Sequence, residues 1–278
     1  MLLTRIITAV VLLLILVVAA RAGDGVLNAV LAVGYGLALA EWLKLAKLPA
    51  AAAYGLGCAF AAGGAALALL APGAEVFGGA YLALQLAVAC VWLAVTALCF
   101  NARNTGFRVR NSTSIVLAFV VTSATWLAVW QYLRLGSWPL LISVFMIVWL
   151  ADACAYFAGR LFGRRRMSPA ISPKKTWEGV AGGLASVYVA ALAAYAFLPH
   201  ELVLTSILLD KAGFAAGLLM IFVLTAVSVA GDLFESALKR QADVKDSGRL
   251  LPGHGGFYDR LDSSLAVLPT AAAMLMIV

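Results

Sequence analysis

The chain has 278 residues, 64% of them hydrophobic and only 12% charged, with a formal net charge of +7 and a mean hydropathy of +1.01. A soluble domain is rarely more than about half apolar, and a β-barrel would alternate apolar and polar residues along short strands, so both classes are excluded. Repeated apolar runs of roughly 20 residues suit a hydrocarbon core about 30 Å thick; the fold class is therefore all-α, a polytopic integral membrane protein.

Nine spans are expected in chain order, over about residues 3–20, 26–43, 50–71, 77–100, 114–133, 138–158, 177–198, 213–231 and 263–278. The first has features of a signal peptide, with Arg5, an apolar run and Ala20–Ala22. Its run is long for that purpose and Arg21 sits inside the would-be cleavage site, so it is read as a span. Leu202–Leu209 is expected as a short re-entrant or interfacial piece. Cys58, Cys90, Cys99 and Cys154 lie in or beside apolar runs without a CxxC pair, so neither zinc nor a disulfide framework is indicated.

With the N-terminus on the cytoplasmic side, 17 of the 20 Lys and Arg fall on that side, leaving only Arg21, Arg134 and Lys211 opposite. That asymmetry supports both the count and the orientation. The acids are uneven too. Six of thirteen lie between Asp232 and Asp262, whereas the first hundred residues hold only Asp24, Glu41 and Glu75. Residues 1–100 are accordingly expected as a transmembrane scaffold and residues 101–278 as the catalytic region, with its site facing the cytoplasm.

Four features of that second region carry chemistry. Asp152 and Tyr156 stand four apart near the end of the sixth span, and an intramembrane Asp is a functional candidate. "SPKKTWEG" reads as a helix start at Ser172-Pro173 with Lys174 and Lys175 on or just before the first turn. Lysines there oppose the helix dipole unless a polyanion docks. Ser228, Asp232, Ser236, Lys239 and Asp243 step by three and four along one helix face, with Glu235 beside them. Snorkelling accounts for Lys239 and Arg240 but not for the deeper Asp232. Finally, Pro252, Gly253, Gly255 and Gly256 forbid a regular helix, and a new one is expected to start near Phe257 or Tyr258, with Asp259, Asp262 and Ser263 on one face. Asp232 and Asp259 are expected to converge on one hard cation. Carboxylates, lysines and a glycine loop at one membrane face are the equipment of phosphoryl or nucleotidyl transfer.

The stretch "SALKRQADVKDSGRLLPGHGGFYDRLDS" (Ser236–Ser263) resembles the signature of the phosphatidate cytidylyltransferases, or CDP-diacylglycerol synthases: S-x-x-K-R, K-D, P-G-H-G-G, then D-R-x-D. Asp152–Gly179 is similar to the family as well, whereas the first hundred residues match mainly in being hydrophobic. The resemblance implies cytidylyl transfer from CTP to phosphatidic acid in phospholipid biosynthesis, Mg²⁺ dependence with room for a second cation, a bacterial inner-membrane location and a homodimer. Lipid bilayer is the expected surrounding and no nucleic acid is expected as a partner. Asp232 and Asp259 would hold the metal, and Asp246 and Asp262 would be further ligands or orienting groups. Lys239 would act at the reacting phosphates. Lys174, Lys175, Ser236, Arg240, Lys245, His254, Gly255 and Arg260 would bind substrate. A CDP-alcohol phosphotransferase is disfavoured because Asp262 is followed by no later acid. An anion transporter would need charge inside several spans or an inverted repeat.

Overall fold

A computed structural model describes residues 2–71, 78–102 and 105–278. Glu75 and Arg103, and the side chain of Arg5, which entered the acid and charge counts above, lie outside the described residues, as does the first residue expected for the fourth span. The elements are α1 (Leu2–Ala22), α2 (Asp24–Leu45), α3 (Ala50–Leu70), α4 (Gly79–Asn101), α5 (Asn111–Phe162), the strands β1 (Arg166–Ser168) and β2 (Ser172–Thr176), α6 (Trp177–Phe197), a 3₁₀ turn (His200–Leu202), α7 (Leu204–Lys211), α8 (Phe214–Gln241) and α9 (Tyr258–Ile277).

Seven of these helices are long and apolar enough to cross a membrane. Among them α5 is 52 residues long, which at 1.5 Å per residue is about 78 Å, more than twice the hydrocarbon thickness. It is two crossings joined by a break: Gly136 and Ser137 have non-helical dihedrals, and Pro139 follows immediately. Contacts fix the reversal. At the start of α5, Ser114 accepts a hydrogen bond from Trp42 Nε1 (3.0 Å) near the end of α2; at the break, Ser137 Oγ donates to Asp24 (2.8 Å) at the other end of α2. The second half then returns, and Gly159 and Gly163 lie against Thr176. Its two halves match the spans expected over 114–133 and 138–158. With the shorter apolar stretch Ile6–Ala22 of α1, the described residues provide the nine segments expected.

α9 is the axis of the bundle. It packs on α8, α5, α4 and α2, and residues 263–273 are buried without interruption. α1 is the opposite case: it lies against α2 and turns Leu13, Leu14 and Val18 outward, each more than half exposed, as a lipid-facing helix does. Lipid offers no water to an unpaired polar group, and the buried polar side chains accordingly tie helices together. Tyr132 OH donates to Leu268 O (2.7 Å), Gln85 Nε2 to Ala124 O (3.0 Å) and Tyr81 OH to Gln131 Oε1 (2.6 Å).

Two local expectations are corrected. Ser172-Pro173 is not a helix start. Proline pushes the preceding residue into an extended conformation, and the segment forms β2, paired antiparallel with β1. The helix begins four residues later, where the Thr176 hydroxyl caps it by accepting from Gly179 N (3.1 Å). Lys174 and Lys175 are thus strand residues just ahead of the cap. Asp243 also leaves the polar stripe: α8 ends at Gln241, and Asp243 lies beyond it, exposed, with φ of 56°.

The short α7 and its 3₁₀ turn occupy the stretch expected to be interfacial, at the far end of the bundle from Thr176. There His200 Nδ1 meets Asp210 Oδ2 at 2.7 Å, while Tyr195 OH donates to Asp210 Oδ1 (2.9 Å). The hydrogen bond to Asp210 raises the His200 pKa above its ordinary 6.5, and the same contact lowers that of Asp210 below 3.8. The pair is therefore complete between those two ordinary values, fades as pH rises through the elevated His200 midpoint, and fades as pH falls through the depressed Asp210 midpoint. NMR titration of the two histidines should show His200 with a midpoint above 6.5 that returns toward 6.5 in Asp210→Asn; an unmoved midpoint would dissolve the pair.

Candidate active site

The polar end of α8 carries Asp232, Glu235, Ser236 and Lys239 on successive turns, so their side chains converge on the neighbouring α9. Gly231 makes the approach close: a Cβ there would lie 2.9 Å from Asp262 O and 3.0 Å from Ser263 Cα. Ser263 Oγ then donates to Ser228 O (3.0 Å), pinning the two helices beside the acids.

Two lysines enter this cluster. Lys175, reaching in from β2, places Nζ 2.7 Å from Asp232 Oδ2 and donates to Val229 O (3.3 Å). Asp152, at the returning end of α5, adds its field to Lys175 and Asp232. Burial works to lower the Lys175 pKa, but the Asp232 and Asp152 carboxylates outweigh it and hold the ammonium above its ordinary 10.5, so it stays charged. Lys239 Nζ bridges Glu235 Oε2 (2.6 Å) on its own helix and Asp259 Oδ1 (2.7 Å) on α9.

Carboxylate oxygens of Asp232, Glu235 and Asp262 lie within 4.8 Å of one another. Among the described residues, this trio is where carboxylate oxygens of three different residues come together. Asp259 adjoins the trio through Glu235 and Lys239 and is bound on its other side to the loop. Its Oδ1 holds Lys239, while its Oδ2 accepts Gly256 N (2.8 Å) and Ser247 N (2.9 Å) and lies 2.9 Å from Ser247 Oγ. Asp259 thereby organises the loop between α8 and α9. The trio is an acidic group able to hold a metal ion: it offers hard oxygen donors, and Glu235 Oε1 is buried with no hydrogen-bond partner.

The loop itself is a tight turn closed by Leu251 N donating to Gly255 O and His254 N to Leu251 O, both 2.9 Å. Gly253 and Gly255 have φ of 76° and 84°, where other residues are strained. The His254 carbonyl is gripped by Arg260 through Nε (3.1 Å) and Nη2 (2.8 Å), and its Nδ1 is buried without a partner. Ser236 Oγ donates to Asp232 (3.3 Å). Of the residues expected to bind substrate or act in catalysis, Lys174, Arg240, Lys245, Asp246 and Arg260 are exposed around the cluster. Lys175, Asp232, Ser236, Lys239, Asp259 and Asp262 form it.

Two residues were not anticipated. Glu41 of α2, fully buried, accepts Ser247 Oγ (2.9 Å) and Tyr258 N (2.9 Å) through Oε2. It lies in the first hundred residues, where only scaffold was expected; an acid inside an apolar helix was the signal that could have found it. Ser247, between Glu41 and Asp259, had no sequence signal beyond its place in the signature.

The sequence is similar to those of known proteins. The residues align with "phosphatidate cytidylyltransferase" of Haemophilus influenzae at 45% identity over 130 residues, 47% of this chain and 43% of that protein. For the protein of the same name in Pseudomonas aeruginosa the identity is 44% over 154 residues, 54% of each chain; for that of Bacillus subtilis it is 46% over 124 residues, 45% of this chain and 42% of the other. The chain spans about half the length of the curated relatives it matches. The model of the cytidylyltransferase family matches residues 3–278, nearly the whole sequence, and this chain therefore belongs to the cytidylyltransferase family.

Proposed function

We propose that this protein transfers a cytidylyl group from CTP to phosphatidic acid, releasing pyrophosphate and leaving CDP-diacylglycerol in the membrane. The observation that carries the reading is the pair of lysines, Lys175 and Lys239, seated on a carboxylate cluster beside a glycine loop at one end of a membrane bundle. The relatives' printed name supports it. Phosphatidate brings its own anionic oxygen, so no protein nucleophile is required. That oxygen attacks the α-phosphorus of CTP, and the chain's work is positioning and charge compensation. Lys175 and Lys239 present charge at the reacting phosphates. Lys174, Lys245, Arg240 and Arg260, exposed at the rim, receive the triphosphate and the lipid phosphate. The glycines of the Gly253–Gly256 turn carry no side chain that would keep an anion from approaching closely.

Asp232, Glu235 and Asp262 would hold Mg²⁺, which when bound offsets the charge developing on the transferred phosphoryl group. The cavity of about 680 Å³ between the end of α5 and the start of α6, lined by Leu161, Phe162, Arg164, Arg165 and Glu178 among others, combines apolar walls with two cationic side chains and one acid. We assign it to the approach of the anionic lipid. We place the site on the cytoplasmic face of a bacterial inner membrane, with the N-terminus on the same side; the charge asymmetry above supports the orientation, and the resemblance supports the membrane. A homodimer belongs to the same reading, from the resemblance alone.

Pyrophosphate release that depends on both CTP and phosphatidate, measured in detergent, tests the assignment. Asp232→Asn and Asp262→Asn should each lower turnover by at least about a hundredfold, because a bound cation contributes several kcal/mol, and chelation should abolish wild-type activity until Mg²⁺ is restored. Normal, chelator-insensitive turnover in both variants would remove the metal. No CTP-dependent release by the wild type would remove the reaction.

The lysines separate two roles. Lys175→Ala should cost about ten- to a hundredfold in kcat/KM, the worth of one charge-assisted contact to phosphate, whereas Lys174→Ala, exposed on the same strand, should cost less and act mainly on KM. Equal, small effects would reduce both to topology signals. For orientation, Lys174→Cys and Lys211→Cys in a background without native cysteines should be labelled from opposite sides of the membrane; labelling from one side would break the nine-span count.

A further inference from the structure

Glu41 has no place in the chemistry above, yet it is a carboxylate buried completely near the end of the apolar helix α2. Burying such a group costs several kcal/mol unless it is well partnered, and it is only half partnered. Oε2 accepts from Ser247 Oγ and Tyr258 N, both at 2.9 Å, while Oε1 is buried with no hydrogen-bond partner. The loop is shaped around it. A Cβ on Gly248 would overlap Oε1, and one on Gly256 would overlap Oε2 and Ser247 Oγ. These two glycines are therefore needed to make room for Glu41, whatever Gly253 and Gly255 do for the turn. Its neighbour Trp42 grips the same place from the other side, stacking on Tyr258 with ring centroids 5.0 Å apart and an interplanar angle of 8°.

We propose that Glu41 is the positioning residue of the site, an anchor on α2 that fixes the α8–α9 loop and, through Ser247, the Asp259 carboxylate. Ser247 stands 2.9 Å from a carboxylate oxygen on each side. Asp259 in turn holds Lys239, and Lys239 holds Glu235. Glu41 is thus the far end of a continuous polar chain that reaches the acidic trio, and it touches neither the trio nor the exposed rim. The effect on turnover rests on the cytidylyl-transfer reading; the effect on the loop does not.

The test reads both. Hydrogen–deuterium exchange of the detergent-solubilised protein should show exchange over residues 246–258 faster by about tenfold or more in Glu41→Ala, the scale of one lost buried hydrogen bond, with α3 and α6 unchanged. In the same variant the pyrophosphate assay should lose at least about tenfold in kcat, and Glu41→Gln, which keeps an oxygen for Tyr258 N–H at the same reach, should recover most of it. Loop exchange equal to wild type overturns the proposal. So does exchange raised evenly through all helices, which would make Glu41 a packing residue, and so does Glu41→Gln as slow as Glu41→Ala with its loop still ordered. If Glu41→Ala does not fold, Ser247→Ala breaks the same contact from the loop side and must show the local acceleration; an unaltered loop there overturns the proposal equally. If the wild type releases no pyrophosphate from CTP, the reaction assigned above falls, while the exchange data still decide the role of Glu41.

Discussion

Lys239 sits between two carboxylates from different helices, 2.6 Å from Glu235 and 2.7 Å from Asp259, and the arrangement of the site follows from that bridge. Glu235 is 1% exposed and the Lys239 side chain 13%. A charge so placed is tolerated only with a partner, and removing one member of such a pair typically costs about 3–5 kcal/mol. The bridge therefore holds the end of α8 against the start of α9. With Ser263 Oγ bound to Ser228 O and no side chain at Gly231, it sets the spacing that brings Asp262 to Asp232. Lys175 does the same from β2, so three separate pieces of chain are drawn together by two ammonium groups.

That convergence needs the β2 hairpin to be where it is, and the membrane helices decide this. Small residues let the second half of α5 and α6 touch backbone to backbone: a Cβ on Gly183 would lie 2.6 Å from Ala151 O, and one on Gly179 2.7 Å from Ala155 O. In lipid there is no hydrophobic drive between helices, and close packing of small residues supplies the contact instead. The short connection from α5 to α6 is then held at the bundle end, with Glu178 accepting Arg164 N (3.0 Å) and Arg165 N (3.1 Å), and Thr176 capping α6. Lys175 immediately precedes that cap, so its direction is fixed by a membrane-helix pair some distance from the chemistry.

The spans were legible because hydropathy in a bilayer is a strong constraint: the break in α5 coincides with Gly136 and Pro139, and the start of α9 with the end of the glycine turn. The polar stripe of α8 was legible because 3.6-residue periodicity survives any packing. Pairing was not. Which carboxylate Lys239 would take, and whether Asp259 would look toward Asp232 or toward the loop, depends on backbone N–H groups of Ser247 and Gly256 that no side-chain pattern displays. The hairpin at Ser172–Thr176 was hidden for a related reason, since Ser-Pro serves both a helix start and a strand. Glu41 was hidden by distance, 206 residues before the serine it binds.

The balance of charge around the site has a direction. Inside, the carboxylates of Asp152, Asp232, Glu235, Asp259 and Asp262 lie around two ammonium groups, Lys175 and Lys239, while Glu41 also feels Lys44. Outside, Lys174, Arg240, Lys245 and Arg260 are exposed and outnumber the exposed Asp243 and Asp246. A negative interior beneath a predominantly positive exposed layer is unfavourable for the empty protein and suits two ligands of opposite sign taken together, a compact cation at depth and a polyanion at the mouth. Neither alone satisfies both layers: a polyanion drawn by the rim meets repulsion further in until a cation is present. In the proposed reaction nucleotide and cation would therefore favour one another's binding, a coupling built from the order of the charged layers rather than from any movement of the helices.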